Sequence, residues 1–223
     1  MKPDVTHPFA DGQEFVSKVI QKAFKIMSGY EPGRYGKVGD AWLNALREVF
    51  WEPYKPQSES GIPGQPRIAA FGGRPPAADR METLPSGLRP WPRWEFMHDV
   101  TLMEVEWVKA AYRPSQVPVL KRALWQVESE LKPDGMKVGE DLSKLKAGQA
   151  DYKLLIVART DQKDPAPWRN FIDQAATGIS GETFVAEIPT YAGMTTKDFC
   201  ELDKGEIHVR RLGPQQAAPP AGT

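Results

Sequence analysis

Two glutamates in the segment LWQVESELK, residues 124–132, are the residues whose types and spacing point most clearly to chemistry. The segment has the composition of a β-strand, and successive side chains of a strand point to opposite faces of the sheet. Glu128 and Glu130 therefore share one face, and Trp125 and Val127 take the other. Adjacent carboxylates repel each other, so an otherwise apolar strand that keeps two of them needs a compensating cation. The pattern predicts a bound divalent metal ion.

Carboxylates in this arrangement suit Mg²⁺ in particular. This ion takes carboxylate oxygens and keeps several waters, so two or three acids at the edge of a sheet make a half-open site that a phosphate can complete. A bound metal ion also lowers the pKa of a coordinated water and stabilises charge on an attacked phosphate. We therefore expect hydrolytic chemistry that needs no covalent protein nucleophile.

The acid that completes the site from the neighbouring strand is open to two interpretations. Residues 96–108, FMHDVTLMEVEWV, are predicted to form a long strand that pairs with the strand of Glu128. One register brings Asp99 to the site, and a shift of a few residues brings Glu104 or Glu106 opposite Glu128 instead. Asp99 has the opposite parity to the other two unless a bulge intervenes. In a competing frame, Glu104 and Glu106 are themselves the acid pair.

The elements that position these residues follow from the periodicity of apolar residues. Helices are predicted over residues 12–28, 39–50, 138–147 and 167–176, and strands over 67–71, 96–108, 124–132, 151–159, 183–189 and 205–211. These elements predict an α/β fold with a mixed central β-sheet flanked by helices. We expect one domain over residues 1–212, with a long Pro- and Gly-rich excursion at about 53–93 and a disordered tail over 213–223.

Composition sets the broad class of protein. The chain has 223 residues, an ordinary apolar fraction of 40% and a formal net charge of zero, so the charge does not indicate a nucleic-acid binder. Its single cysteine, Cys200, excludes an internal disulfide framework and a multi-cysteine zinc site. The polar N-terminal segment does not have the pattern of a signal peptide. We expect a cytoplasmic protein.

The order of the predicted elements resembles that of the PD-(D/E)XK nuclease superfamily, which has the restriction-endonuclease-like fold. The matching pieces are Asp99 in HDVTLMEVEW, Glu128 and Glu130 in WQVESEL, the helix GEDLSKLKAG and the buried strand DYKLLIVART. Glu130 stands where the family usually has lysine, as in a minority of restriction enzymes that carry Glu-Ser-Glu. The resemblance covers roughly residues 96–159, less than a third of the chain.

The resemblance implies a Mg²⁺-dependent nuclease, with Mn²⁺ as a substitute ion, that acts on double-stranded DNA and works as a dimer. Asp99 and Glu128 would be metal ligands, and Glu130 would be a further ligand or orient the attacking water. Lys144 would supply the cation missing from position 130, with Lys146 as a weaker alternative. Phosphate contacts are expected from the basic residues of the excursion, which are Arg74, Arg80, Arg89 and Arg93.

Two further residues and one rival function complete the expectations. Glu48 could add an outer carboxylate from an N-terminal helix, and His98 is expected to pack rather than act as a base. The rival is a non-catalytic binding or assembly protein that keeps a nuclease-like fold. The absence of lysine at position 130 and the zero net charge favour that rival.

Overall fold

The computed structural model describes residues 12–29, 38–54, 67–71, 98–109, 116–160, 163–189, 198 and 207–213. Its helices are α1 Gly12–Ser28, α2 Val38–Trp51, α3 Gly135–Ala147 and α4 Ala166–Ala175, and a short 3₁₀ helix, Glu52–Tyr54, follows α2. Its strands are β1 Arg67–Phe71, β2 Val100–Lys109, β3 Gln116–Glu130, β4 Ala150–Ala158, β5 Glu182–Ile188 and β6 His208–Leu212. Within this part of the chain, no helix is both long and apolar enough to cross a membrane.

The strands form one sheet in chain order from β1 to β6. Strands β1, β2 and β3 are antiparallel neighbours, β3, β4 and β5 run parallel, and β6 returns antiparallel to β5. Parallel neighbours need a crossover connection, and α3 and α4 supply the two crossovers. The predicted fold class, a mixed α/β fold with a central sheet flanked by helices, is therefore confirmed.

Helices α1 and α2 cover one face of the sheet because each has a continuous apolar stripe at helical spacing. The two stripes enclose Trp125 of β3, whose ring centroid lies 5.2 Å from that of Phe15 and 5.3 Å from that of Phe50. Val127 and Leu154 belong to the same buried cluster. This larger core fixes the inward face of the central strands, so their alternate residues must point to the other side.

Helices α3 and α4 cover that opposite face. Val138, Leu142 and Leu145 of α3 pack with Leu155 of β4 and Val185 of β5 in a second buried cluster. Helix α3 begins after Asp134, whose side chain accepts hydrogen bonds from the amides of the first turn, an arrangement that stabilises a helix N-terminus. The charged residues of the candidate site lie between this helix and β3.

Two predicted features differ from the structure or fall outside it. Strand β2 begins at Val100 and not at residue 96, and His98 and Asp99 lie in a bend just before it. Most of the excursion at 53–93, including the four arginines predicted to contact phosphate, and residues 214–223 of the predicted tail lie outside the described residues.

Candidate active site

The register of β2 and β3 brings Asp99 to the two glutamates of the Glu-Ser-Glu sequence. Val100 is the partner of Val127, so Asp99 lies beside Glu128. The Asp99 Oδ2 atom accepts a hydrogen bond of 2.8 Å from the backbone N–H of Ser129. Asp99 is therefore tied to the residue that separates Glu128 from Glu130, and its role as a metal ligand stays a prediction.

The alternative register, with Glu104 or Glu106 opposite Glu128, is wrong. Glu104 pairs with Arg122 and Glu106 with Val119, well down the hairpin from the site. The pairing slips twice, between Leu102 and Met103 and between Glu104 and Val105. Glu104 is buried and forms ion pairs with Lys121 and Arg122, and Glu106 is exposed. Neither is a candidate ligand for a metal ion at Glu128.

Glu128 is the most deeply buried acid of the site. It is 0% exposed and lies level with Leu155, on the face that α3 covers. Burial, reinforced by the negative charges of Asp99 and Asp141, raises the pKa of Glu128 to about 9. Among the described residues, its Oε1 atom has no hydrogen-bond partner. An unpaired carboxylate oxygen in such a place is costly, so this atom is poised to bind a proton or a cation.

Burial also perturbs Asp99. It raises the pKa of Asp99 to about 6, although the hydrogen bond from Ser129 acts in the opposite direction. The charges of Asp141 and Glu130 add to the increase. Asp99 and Glu128 thus have pKa values that differ from each other and from those of free carboxylic acids. Such pairs of shifted acids are typical of functional sites.

Lys144 of α3 is the cation that the site itself provides. Its ammonium donates to Glu128 Oε2 at 3.1 Å and to Asp141 Oδ1 at 2.7 Å. Burial lowers the pKa of Lys144, but the hydrogen bond to Asp141 and the charge of Glu128 outweigh it, so the pKa is raised. The prediction that Lys144 supplies a cation near position 130 is right about its location, and its partner is Glu128.

Sequence reasoning missed Asp141. This residue is only 8% exposed, pairs with Lys144 one turn away on α3, and contributes to the raised pKa values of both strand acids. The signal available in the sequence was the three-residue spacing between Asp141 and Lys144, which places both on one face of a helix. Nothing in the sequence showed that this face lies against β3.

Ser129 is held from both sides. Its backbone N–H donates to Asp99, and its hydroxyl oxygen accepts a hydrogen bond of 2.8 Å from Trp42 Nε1 of α2. The serine therefore faces the larger core while its neighbours face α3. Glu130 is half-buried on the α3 side, and its Oε1 atom accepts a hydrogen bond from the backbone N–H of Lys132. Glu130 is thus less buried than Glu128, which is 0% exposed.

Three other candidates have clear positions. The ring of His98 is buried, and its Nε2 atom lies 3.1 Å from the backbone oxygen of Lys144. Lys146 is exposed on α3. Glu48 is exposed on α2. Because α2 packs on the face of the sheet opposite to Glu128, Glu48 does not reach the site.

The carboxylates offer a partial coordination sphere. Among the described residues, no group of three or more His, Cys, Asp or Glu side chains could hold a metal ion by itself. Mg²⁺ is commonly bound through one or two carboxylates together with waters and substrate phosphates, so Asp99 and Glu128 meet its minimum requirement. The unpartnered Oε1 atom of Glu128 and the raised pKa values of both acids fit such an ion.

Comparison of the chain with family models, with curated proteins and with solved structures finds no match.

Proposed function

We propose that this protein is a Mg²⁺-dependent nuclease that hydrolyses phosphodiester bonds, with double-stranded DNA as its substrate. The observation that carries the proposal is the convergence of Asp99, Glu128 and Lys144 on one buried patch between β3 and α3. The order of elements around the patch also supports it, because a bend with an acid, a strand with Glu-Ser-Glu, a lysine-bearing helix and a buried strand follow one another. The resemblance to the PD-(D/E)XK superfamily rests on the same order of elements.

The charges of the site favour a cation. When they are ionised, Asp99, Glu128, Glu130 and Asp141 contribute four negative charges and Lys144 contributes one positive charge, which leaves a surplus of three. A divalent cation reduces this surplus to one and relieves the repulsion that raises the pKa values of Asp99 and Glu128. Asp99 and Glu128 would hold the ion, and Glu130 lies one step further along the same face of β3.

Each residue of the candidate site has a distinct part in the proposed reaction. When bound, the metal ion supplies electrostatic stabilisation and an activated water. Glu130 is less buried than Glu128, so its carboxylate is available to orient that water. Lys144 presents a permanently charged ammonium on which negative charge that develops at the phosphate can be stabilised. Asp141 keeps that ammonium in place at 2.7 Å.

Plasmid nicking tests the proposal. Supercoiled plasmid is incubated with purified protein, with Mg²⁺ or with a chelator, and with the Glu128→Gln variant. Glu106→Gln is the matched control, because it makes the same chemical change at an exposed position of the same sheet. We expect Glu128→Gln to lose more than the roughly 10–100-fold that removal of an outer-shell partner costs, and Glu106→Gln to keep full activity. Nicking that is equal in both variants, or that survives the chelator, would refute the proposal.

The second candidate function is a non-catalytic binding or assembly protein. The contact between Lys144 and Glu128 favours it, because a cation of the chain already occupies one oxygen of the buried acid. Calorimetric titration with Mn²⁺ separates the two functions. A nuclease binds the ion through Glu128, whereas a scaffold shows no binding that Glu128→Gln abolishes.

A further inference from the structure

Two buried side chains, one from the bend before β2 and one from β4, hold the last turn of α3, the helix that carries Lys144. The last carbonyl groups of a helix have no partners within it and need donors from elsewhere. His98 Nε2 lies 3.1 Å from the backbone oxygen of Lys144, and Lys153 Nζ donates to the backbone oxygen of Gly148 at 2.8 Å. His98 is 6% exposed and Lys153 is 0% exposed. Both contacts therefore lie inside the protein, where solvent does not compete with them.

The hydrogen bond between His98 and the backbone carbonyl of Lys144 can have only one direction. A carbonyl oxygen can only accept a hydrogen bond, so the Nε2 atom of His98 carries the proton and donates it. The same carbonyl accepts the backbone N–H of Gly148 at 2.9 Å, which closes the helix. The oxygen of Lys144 is thus held both by the end of its own helix and by the segment that precedes β2.

The position of His98 in the chain links this contact to the candidate site. Its neighbour Asp99 bonds the backbone of Ser129 on β3. Two consecutive residues therefore join α3 to β3, one through the backbone of Lys144 and the other through the backbone between Glu128 and Glu130. The separation between the Lys144 ammonium and Glu128 depends on where this last helical turn lies against the strand.

We propose that His98 is a positioning residue, which through the backbone carbonyl of Lys144 fixes the Lys144 ammonium against Glu128. This role replaces the simple packing role that the sequence suggested for His98. A histidine that only fills space could be exchanged for an apolar side chain without effect on the ion pair. The consequence for DNA cleavage rests on the proposed nuclease function, and the consequence for the ion pair does not.

Variants of His98 test the ion pair without reference to activity. Nitrogen-15 NMR spectra report the side-chain ammonium of Lys144, which is assigned by its loss in Lys144→Met. We expect this signal in the wild type and in His98→Gln, whose amide can still donate to the carbonyl. In His98→Leu, with the protein still folded by circular dichroism, it should move to a different chemical shift, because Asp141 on the same helix still holds the ammonium while the contact with Glu128 is lost. If His98→Leu does not fold, His98→Asn, whose amide is too short to reach, takes its place. An unchanged ammonium signal in the variant that lacks the contact would overturn the proposal.

A double-mutant cycle on plasmid nicking tests the consequence for catalysis. Displacement of a catalytic group by about 1 Å can cost roughly 100-fold in rate. We expect His98→Leu to lower the nicking rate by about 10–100-fold in the wild-type background and by nothing further in Lys144→Met. An equal loss in both backgrounds would show that His98 does not act through Lys144. Absence of Mg²⁺-dependent nicking in the wild type would remove the proposed function, and the ammonium signal alone would then decide the role of His98.

Discussion

Metal binding at Asp99 and Glu128 should release protons, and the amount follows from the two shifted pKa values. A carboxylate must be ionised to bind a metal ion. With a pKa of about 9, Glu128 is protonated in roughly 99 molecules of 100 at pH 7 in the absence of metal. Removal of that proton costs about 2.7 kcal/mol at pH 7, since the pKa lies about two units above the pH. The apparent affinity for Mg²⁺ is reduced by about 100-fold in consequence.

The dependence on pH has three regimes. Above a pH of about 9 both acids are ionised and the affinity should be independent of pH. Between about 6 and 9 only Glu128 is protonated, so the affinity should increase about tenfold per pH unit. Below about 6, Asp99 is protonated as well, and the increase should approach 100-fold per unit.

Isothermal titration calorimetry measures the proton count directly. Mn²⁺ or Mg²⁺ is titrated at about pH 7.5 into protein in buffers that differ in ionisation enthalpy, and the observed enthalpy is plotted against that of the buffer. We expect a slope that corresponds to about one proton released per ion, and no release from Glu128→Gln. Tight binding with no proton release, or an affinity that does not change between about pH 7 and 9, would refute the assignment of Glu128 as a buried, protonated ligand.

Three further predictions concern stability and the lysines. The pKa of Glu128 is raised in the folded state from 4.5 to about 9, so the folded protein holds this proton more tightly than the unfolded chain. The free energy of unfolding in chelator should therefore fall by about 1.4 kcal/mol per pH unit between about pH 7 and 9, above the range in which Asp99 titrates, and Glu128→Gln should remove this slope in urea titrations. Lys144→Met should lower plasmid nicking by about 100-fold, and Lys146→Met, an exposed change on the same helix, should leave it unaltered. Arg169 binds the buried Glu187 with two bonds of 2.8 and 2.9 Å, and Arg210 lies 3.8 Å from the same carboxylate, so Arg169→Leu should cost about 1.5–3 kcal/mol in urea unfolding; a cost below about 1 kcal/mol would contradict the pairing.

The sequence was sufficient to predict which face of β3 carries the acids. Alternation along the strand predicted Glu128 and Glu130 on one face and Trp125 and Val127 on the other. Trp125 and Val127 pack against α1 and α2, which confirms this prediction. Helices α1 and α2 were also predictable, because each has a long apolar stripe at helical spacing. The periodicity of apolar residues depends only on residues close together in the sequence, so the sequence alone is enough to predict it.

The register between β2 and β3 could not be predicted in this way. Leu102 pairs with Trp125 and Met103 with Ala123, so Leu124 is an extra residue in β3. Leu124 is accordingly buried in the larger core, on the side where simple alternation does not place it. Each such irregularity changes the parity of all residues beyond it. The choice between Asp99 and Glu104 depended on irregularities that no spacing in the sequence indicates.

Either a proton or a divalent cation can neutralise the buried acid Glu128, and the two differ in the residues that they need. A proton neutralises Glu128 alone, and Lys144 keeps its contacts with Asp141 and with Glu128 Oε2. A divalent cation must displace that proton and also bind Asp99, so it succeeds only where both acids lie within its reach. Binding that depends on both Asp99 and Glu128 is therefore what distinguishes a metal centre from a buried acid that has simply kept its proton.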